Sequence, residues 1–290
     1  SDPMEAAYVS VYLWKNTAEK AGSFDVQAIQ DNADGVTFDA PEGLVTIDGE
    51  DARDFDDAVW AEADAEPGNP GGWQLIVAIA DVAAYVRPGS PLDREALKRG
   101  NSTYFPDRVV PMLPFELSAD ECSLREGELR RCMAVEMIFD KSGSKRSHRF
   151  IRGMMKSAAK LSYEEAQAAI DGKPGGKAGD MLETVLKPLW GAYAALSKAR
   201  DDRSPLDLDL PERRIVFSED GEIEGIITKE RLDAHRLIEE FMIQANVAAA
   251  ETLEKQKSPL IYRVHDTPTD AKIAAFAEFL QTIDMKWNIG

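Results

Sequence analysis

The sequence predicts an α+β fold in which a mixed or antiparallel β-sheet forms the core and helices surround it. Three observations support this class. Residues 73–86 form a strongly apolar strand pattern. Residues 131–139 and 147–155 alternate like two paired strands on either side of a short polar turn. Residues 181–199 and 232–254 repeat apolar positions at helical spacing, which predicts two longer helices.

Shorter patterns complete the predicted order of elements. Ser162 is followed three residues later by Glu165, the capping box that opens a helix. Pro and Gly between residues 64 and 72 predict a hairpin turn, and residues 173–180 a Gly-rich linker. Prolines keep residues 101–114 irregular. The other predicted elements are a helix at 6–20, a strand at 44–47, a helix at 92–99, a hairpin of strands 214–218 and 223–228, a strand at 261–265 and a helix at 271–281.

Composition narrows the class of protein. With 290 residues the chain can form one large domain or two small ones. The sequence shows no apolar run of membrane-spanning length and no basic-then-apolar leader, so we expect a soluble, cytoplasmic protein without membrane contact. Cys122 and Cys132 do not form a CxxC pair, and the three histidines share no ligand spacing. A disulfide scaffold and a zinc site are therefore not expected.

The most informative stretch is residues 44–60, LVTIDGEDARDFDDAVW, in which six carboxylates lie between two apolar runs. Crowded carboxylates close to a core repel one another unless a cation neutralises them. Asp48 ends the predicted strand, and the later aspartates return towards it, with Phe55 anchoring the loop between them. Oxygen ligands favour a hard divalent cation, and Mg²⁺ is the one we expect. The predicted ligands are Asp48, Asp54, Asp56 and Asp57.

This acidic stretch has two other interpretations. An EF-hand loop starting at Asp48 needs glycine at its sixth position, where this chain has Arg53. A charged surface turn without metal stays open on composition alone.

Four motifs resemble the catalytic domain of the ribonuclease II / ribonuclease R exoribonucleases. They are TIDGEDARDFDDAV, IVAIADVAAYVRPGSPLD, STYFPDRVVPMLP and LIEEFMIQANVAAA, and the similarity runs from about residue 44 to residue 267. The resemblance implies the sheet core of that catalytic domain, and hydrolysis of single-stranded RNA from the 3′ end with magnesium to give 5′-mononucleotides. It assigns residues 41–290 to the N-terminal portion of the domain, after a tag remnant and lead-in segment at residues 1–40.

The resemblance also implies roles for individual side chains. The aspartates Asp48, Asp54, Asp56 and Asp57 would hold one or two magnesium ions, and the loss of Asp56 would damage the chemistry most. Tyr104 would stack on the terminal base, while Tyr163 and Glu239 would contact ribose. From the residues alone, Tyr104 could be a core residue with its hydroxyl bound to backbone, Tyr163 could pack at the start of its helix, and Glu239 could be a salt-bridged surface residue.

Charge gives two opposing signals for a protein that binds RNA. The net charge is −18, whereas nucleic-acid-binding proteins usually carry a basic surface. Residues 141–160, however, contain seven Lys or Arg and no acidic residue. This basic stretch predicts either one wall of an RNA path or a solvated basic hairpin. Asp81, within an apolar run, predicts either a turn former or a partner of the metal site.

The chain departs from the family pattern in two places. A base-stacking phenylalanine is expected near Asp207, where the sequence is SPLDLDL (residues 204–210). A later segment with a phosphate-binding arginine and an S1-type domain do not occur in these 290 residues, so we expect a fragment or one part of a longer polypeptide. The alternative function is therefore a catalytically impaired RNA- or protein-binding module. The oligomeric state stays open.

Overall fold

The computed structural model describes residues 41, 43–106, 108–202, 212–218, 223–262, 264, 266–285 and 287. The chain divides into a main unit, which ends at Ser258, and a C-terminal unit, which begins at Pro259. The predicted helix at 6–20 and the SPLDLDL segment lie outside the described residues. No helix in the described part of the chain is long and apolar enough to cross a membrane.

A six-stranded sheet forms the centre of the main unit, with strand order β7-β6-β3-β2-β1-β8. Its strands are β1 (Val45–Asp48), β2 (Asp57–Ala63), β3 (Trp73–Ala80), β6 (Leu129–Phe139), β7 (Lys145–Lys156) and β8 (Ala159–Ser162). Neighbouring strands run antiparallel except β1 and β8, which are parallel. The predicted mixed sheet and α+β class are therefore confirmed.

Short elements lie between β3 and β6. A 3₁₀ turn (Val82–Ala84) follows β3, and α1 (Pro91–Arg99) is capped by Ser90, whose Oγ accepts the Asp93 N–H at 3.2 Å. The two-residue strands β4 (Thr103–Tyr104) and β5 (Val109–Val110) pair antiparallel. A π-helical turn (Leu117–Glu121) precedes β6.

The second half of the main unit is mostly helical. Its elements are α2 (Tyr163–Ile170), α3 (Gly176–Asp180), a π-helical turn (Leu182–Leu186), α4 (Lys187–Asp201), the hairpin β9 (Glu212–Phe217) and β10 (Ile223–Lys229), and α5 (Asp233–Lys255). The predicted capping box is present, because Ser162 Oγ accepts the Glu165 N–H and Glu165 Oε2 accepts the Ser162 N–H.

Both faces of the sheet are covered, which explains the long apolar runs of its central strands. On one face, sheet residues such as Val45, Val59 and Leu75 pack with Leu189 of α4 and Phe241 of α5. The opposite face packs a smaller cluster, which includes Phe55, Trp60, Cys122, Leu124 and Cys132. Burial of these side chains from water is the main free-energy gain of the fold.

The C-terminal unit contains α6 (Asp270–Thr282), which Thr269 caps at its N-terminus. Thr269 Oγ1 accepts the Lys272 N–H at 3.4 Å. The rings of Phe276 and Trp287 meet edge to face, with centroids 5.4 Å apart.

Three sequence-based expectations about elements are wrong. The strand expected at 73–86 ends at Ala80, because a 3₁₀ turn begins at Val82, although the Asp81 N–H still donates to the Arg131 carbonyl of β6 at 3.1 Å. The Gly-rich linker at 173–180 contains the short helix α3. The strand expected at 261–265 is absent at its described positions, since Ile261, Tyr262 and Val264 are non-regular and exposed.

Helix α4 lies unusually close to the sheet at Gly191. A Cβ placed on Gly191 would come within 2.3 Å of Cη2 of Trp73, at the start of β3. Glycine at this position thus allows the Trp73 ring to pack directly on the helix backbone.

This contact generates a stability prediction. Gly191→Ala should lower the free energy of unfolding by about 1–3 kcal/mol through overpacking, although alanine favours helices over glycine by about 1 kcal/mol. Urea denaturation measures the change. In a Trp73→Leu background the ring is absent, so the same substitution should cost less, and an equal cost in both backgrounds would contradict the packing explanation.

Candidate functional site

The predicted metal ligands lie in the loop between two adjacent strands of the sheet, which we call the acid loop (residues 48–57). Asp48 is the last residue of β1 and Asp57 the first residue of β2. Because β1 and β2 are antiparallel neighbours, the loop leaves the sheet and returns to the same end. The register therefore brings its first and last carboxylates together, as the sequence predicted.

The acid loop is attached to the body of the main unit through Phe55 and Lys160. The Phe55 side chain is buried in the smaller core cluster, which confirms its predicted anchoring role. Lys160 Nζ, on β8, donates to the carbonyl of Ala52 at 3.2 Å and lies 4.6 Å from the centroid of the Phe55 ring. The Ala52 N–H closes a turn onto the Gly49 carbonyl at 3.0 Å.

The acid loop concentrates negative charge next to the core. Asp57 Oδ2 is completely shielded from solvent and accepts no hydrogen bond from the described residues. Burial raises the pKa of Asp57 to about 7, and the charges of Asp48 and Asp56 act in the same direction. Desolvation by surrounding protein raises the pKa of Asp56 as well, followed by the charge of Asp54. All four carboxylates therefore take part in one electrostatic cluster.

The acid loop offers oxygen ligands for a metal ion. Among the described residues, no group of three or more His, Cys, Asp or Glu side chains is already gathered closely enough to hold one. The chemistry of the donors nevertheless fits a hard divalent cation, since the set is made of oxygens and includes a shielded oxygen without a hydrogen bond. The residues that could hold it are Asp48, Asp54, Asp56 and Asp57.

Tyr104 lies on β4 beside the acid loop. Partial burial of its hydroxyl raises its pKa, and the charges of Asp54, Asp56 and Asp48 add to the effect. Its side chain is 70% exposed, so the ring is not a core residue and its faces are accessible. This combination of an exposed ring and a hydroxyl in the field of the carboxylates is compatible with a stacking role.

Tyr163 lies near the same carboxylates, on the side of β1 where β8 pairs with it. It is the first residue of α2 and follows Ser162, which pairs in register with Asp48 across the parallel strands β1 and β8. Burial raises the pKa of Tyr163, and the charges of Asp48 and Asp57 raise it further. The tertiary fold thus brings Tyr163 to the acid loop although it is distant in sequence.

His235 is a residue near the site that the sequence did not single out. Its ring stacks on Tyr163 with centroids 4.0 Å apart and planes inclined by 17°. Its Nδ1 accepts the Leu232 N–H at 3.2 Å, which fixes the ring at the start of α5. The sequence could not predict this stacking, because the two rings belong to different helices and His235 is not part of any metal-binding motif.

Glu239 has a different environment from the tyrosines. It forms ion pairs with Arg231 and, at 3.8 Å, with Arg200. The adjacent Glu240 is fully buried, accepts a hydrogen bond from Gln244 at 2.8 Å and lies 3.8 Å from Arg200. The structure therefore shows the salt-bridged alternative for Glu239, and its contact with ribose stays a prediction.

The basic stretch and Asp81 are largely engaged within the protein. Asp81 is buried and pairs with Arg152 through both carboxylate oxygens, with Nη2 to Oδ1 at 2.7 Å. Lys145 pairs with Glu251 at 2.9 Å, and Arg149 pairs with Glu136. These contacts favour a structural role for most of the basic stretch over a wall of an RNA path.

Known proteins resemble this chain over most of its length. The model of the RNB domain matches residues 42–288, and a periplasmic binding protein domain model matches residues 1–65, less than a quarter of the chain. The chain is 44% identical over 248 residues to ribonuclease R of Vibrio parahaemolyticus, covering 85% of this chain and 29% of that protein. It is 39% identical over 282 residues to ribonuclease R of Escherichia coli, covering 95% of this chain and 34% of that protein.

A solved structure agrees with these relatives. RNase R of Mycoplasma genitalium, in complex with double-stranded RNA, superposes with a TM-score of 0.79 at 27% identity, covering 96% of this chain and 51% of the other. The same enzyme in complex with ribose methylated single-stranded RNA gives the same TM-score. The chain spans about a third of the length of its curated relatives.

The raised pKa of Asp57 predicts how stability depends on pH. Between about pH 4 and about pH 7 the folded protein retains a proton that the unfolded chain has lost. The free energy of unfolding of the metal-free protein should therefore fall as pH rises through this window. Asp57→Asn cannot ionise and should be more stable than wild type above the window, by roughly 2–4 kcal/mol.

Urea denaturation in a metal chelator across this pH range measures the effect. Glu50→Gln, at an exposed position of the same loop, is the matched control and should follow wild type. If Asp57→Asn and wild type lose stability in parallel through the window, the assignment to Asp57 is wrong.

Proposed function

Because this chain belongs to the RNB-domain family, we propose that it forms the catalytic part of a magnesium-dependent 3′-to-5′ exoribonuclease. The proposed substrate is single-stranded RNA and the proposed products are 5′-mononucleotides. One observation carries the proposal. The acid loop brings Asp48, Asp56 and Asp57 into mutual electrostatic contact, and the hydroxyls of Tyr104 and Tyr163 lie in the field of the same carboxylates.

The carboxylates of the acid loop have one role in this proposal. Asp48, Asp54, Asp56 and Asp57 would hold one or two magnesium ions, which when bound orient the scissile phosphate and stabilise charge on the attacking and leaving oxygens. The buried Asp57 Oδ2 supplies a dehydrated oxygen, whereas Asp56 is on the solvent side of the loop. Of these two carboxylates, Asp56 is therefore the one that solvent reaches.

The two tyrosines would recognise different parts of the nucleotide. The exposed ring of Tyr104 offers a face for the terminal base, and such stacking tolerates any base, as a nonspecific nuclease requires. Tyr163 is half-buried, and His235 holds its ring in place, so its hydroxyl would meet the ribose of the same nucleotide. Contact with the 2′-hydroxyl would separate RNA from DNA. Glu239 would join this contact only after exchanging an arginine partner.

Two further properties belong to the proposal. The Mycoplasma genitalium enzyme is in complex with double-stranded RNA in one solved structure, and for this chain we propose single-stranded RNA as the form that enters the site. We also propose a cytoplasmic location, because Cys122 and Cys132 are both free and buried, as is usual in a reducing compartment.

A second candidate function is an RNA- or protein-binding module without catalysis. The observation that favours it is the internal pairing of the basic stretch, together with the net charge of −18. Both features reduce the positive surface available to a polyanion. The crowded acid loop argues against it, because four neighbouring carboxylates are an electrostatic cost that a bound cation offsets.

The catalytic proposal predicts magnesium-dependent release of mononucleotides. Single-stranded RNA labelled at either the 3′ or the 5′ end should lose nucleotides from the 3′ end in the presence of Mg²⁺. Asp56→Asn keeps the size of the side chain but removes its charge, and should reduce the rate by about 10²-fold or more, as loss of a metal-positioned charge does. Gel or chromatographic separation of the products measures both rates.

Three outcomes of this experiment are informative. Glu62→Gln, at an exposed position on β2 away from the acid loop, should retain the wild-type rate. RNA binding without any nucleotide release by the wild type would support the binding module instead. Release of internal fragments would contradict an exonuclease.

Stacking by Tyr104 predicts a graded effect of two substitutions. Tyr104→Ala removes the ring and should weaken RNA binding by roughly 1–3 kcal/mol, which is about 5- to 150-fold in Kd. Tyr104→Phe retains the ring and should remain close to wild type. Fluorescence anisotropy of a labelled oligonucleotide measures both values. If Phe and Ala weaken binding equally, the hydroxyl and not the ring makes the contact.

A further inference from the structure

The acid loop needs a mechanical support, because its carboxylates repel one another. Asp48, Asp54, Asp56 and Asp57 lie within one loop of ten residues, and like charges at such short separations repel. Without restraint, a loop carrying these charges would spread apart. The groups that hold its backbone therefore influence how well it binds a cation.

One buried hydroxyl holds the loop on both sides of Asp54. Ser123 is completely buried, and its Oγ accepts the Phe55 N–H at 3.0 Å and donates to the Arg53 carbonyl at 3.1 Å. A serine hydroxyl can donate one hydrogen bond and accept others, so both contacts coexist. The two backbone groups belong to the residues immediately before and after Asp54.

The segment that carries Ser123 is itself fixed. The Ser123 N–H donates to the Asp120 carbonyl at 3.0 Å, at the end of the π-helical turn. The next residue, Leu124, is fully buried in the same cluster as Phe55, and its N–H donates to the Phe55 carbonyl at 2.9 Å. The segment that carries the hydroxyl is thus held by backbone hydrogen bonds and by the burial of Leu124.

A backbone hydrogen bond also fixes Asp56, the second predicted ligand next to Phe55. The Asp56 carbonyl accepts the N–H of Ala80, the last residue of β3, at 2.8 Å. The backbone is therefore held at residues 53, 55 and 56, and Asp54 and Asp56 flank the buried Phe55. Of these contacts, only those of Ser123 are made by a side chain. A substitution can therefore remove them while the backbone contacts remain.

We propose that Ser123 is a positioning residue of the magnesium site: its buried hydroxyl fixes the backbone on both sides of Asp54 and thereby restrains where the Asp54 and Asp56 carboxylates can lie. This inference rests on the magnesium site of the proposed function. Ser123 acts through the backbone of the acid loop and does not touch the ion or the RNA.

Removal of the hydroxyl has a defined consequence. Ser123→Ala leaves the buried Phe55 N–H without its acceptor and removes the part-buried hydrogen bond to the Arg53 carbonyl, so the loop must rearrange to satisfy the Phe55 N–H. Groups that orient metal ligands typically contribute about 10- to 100-fold to metal affinity. The dissociation constant for Mg²⁺ should therefore rise by about 10-fold or more.

The experiment is a calorimetric titration of the 290-residue chain with Mg²⁺ alone, without RNA. Ser157→Ala is the matched control, because Ser157 is equally buried and its Oγ donates to the Ala159 carbonyl at 3.0 Å, away from the acid loop. Both variants lose one buried hydroxyl and should be destabilised. Only Ser123→Ala should bind Mg²⁺ more weakly than wild type.

A second measurement separates positioning from direct participation. The rate of mononucleotide release by Ser123→Ala should recover as Mg²⁺ is raised to saturation, whereas that of Asp56→Asn should not. If Ser123→Ala does not fold, Ser123→Cys, which keeps a weak donor and acceptor of similar size, replaces it under reducing conditions. The same comparison with Ser157→Ala then applies.

The outcomes distinguish this inference from the proposed function. Equal Mg²⁺ affinity of the Ser123 and Ser157 variants would overturn the positioning role while leaving the nuclease proposal intact. Absence of Mg²⁺ binding by wild type would overturn both. A third outcome is that only the Ser123 variant binds Mg²⁺ more weakly and that no variant releases nucleotides. This result would support the positioning role and count against the nuclease.

Discussion

The repulsion among the carboxylates of the acid loop is the constraint on which the rest of the structure depends. Five aspartates and one glutamate lie within ten residues, and Asp57 has an oxygen shielded from water. In a folded protein such a group is destabilising unless the surrounding structure holds it in place for a cation. The sheet, its two packed faces and the contacts to the loop all restrain this charge.

The order of strands explains how the restraint is achieved. Both ends of the acid loop continue into strands that are buried near the middle of the sheet, so neither end can move without breaking the core. Lys160 on β8 and Ser123 beyond β3 then hold the loop through separate contacts. A flexible surface loop with the same six carboxylates would separate its charges in water and have little reason to bind a metal ion.

The parallel pairing of β1 with β8 determines what surrounds the carboxylates. It places Ser162 beside Asp48, and the helix that Ser162 caps begins with Tyr163. The start of α5 then brings His235 onto the Tyr163 ring. The surroundings of the acid loop are thus assembled from the junction of β8 and α2, the start of α5 and the short β4–β5 pair, which are far apart along the chain. Glu239, further along α5, is held by arginines and is the predicted site residue least prepared for a substrate.

Local patterns in the sequence were sufficient for the class of fold, the paired strands β6 and β7, the capping box at Ser162 and the identity of the acid loop. Apolar periodicity, turn residues and clustered charges act over a few neighbouring positions, so they are visible in the chain itself. The motifs that resemble a known family extended this to Tyr104 and Tyr163. Asp81 was a candidate turn former, but its ion pair was not visible, because Arg152, its partner, lies on another strand.

Only the tertiary structure decided which charges are engaged and which groups support the site. The basic stretch was a candidate wall for RNA until its partners on α5 and β6 were known. Ser123 and His235 carry no pattern of their own, since a buried hydroxyl and a stacked ring acquire their roles from residues that folding brings to them. The sequence by itself determined the chemistry of the acid loop, whereas long-range packing determined its geometry, because hydrogen bonds and ring contacts depend on distances that no local pattern specifies.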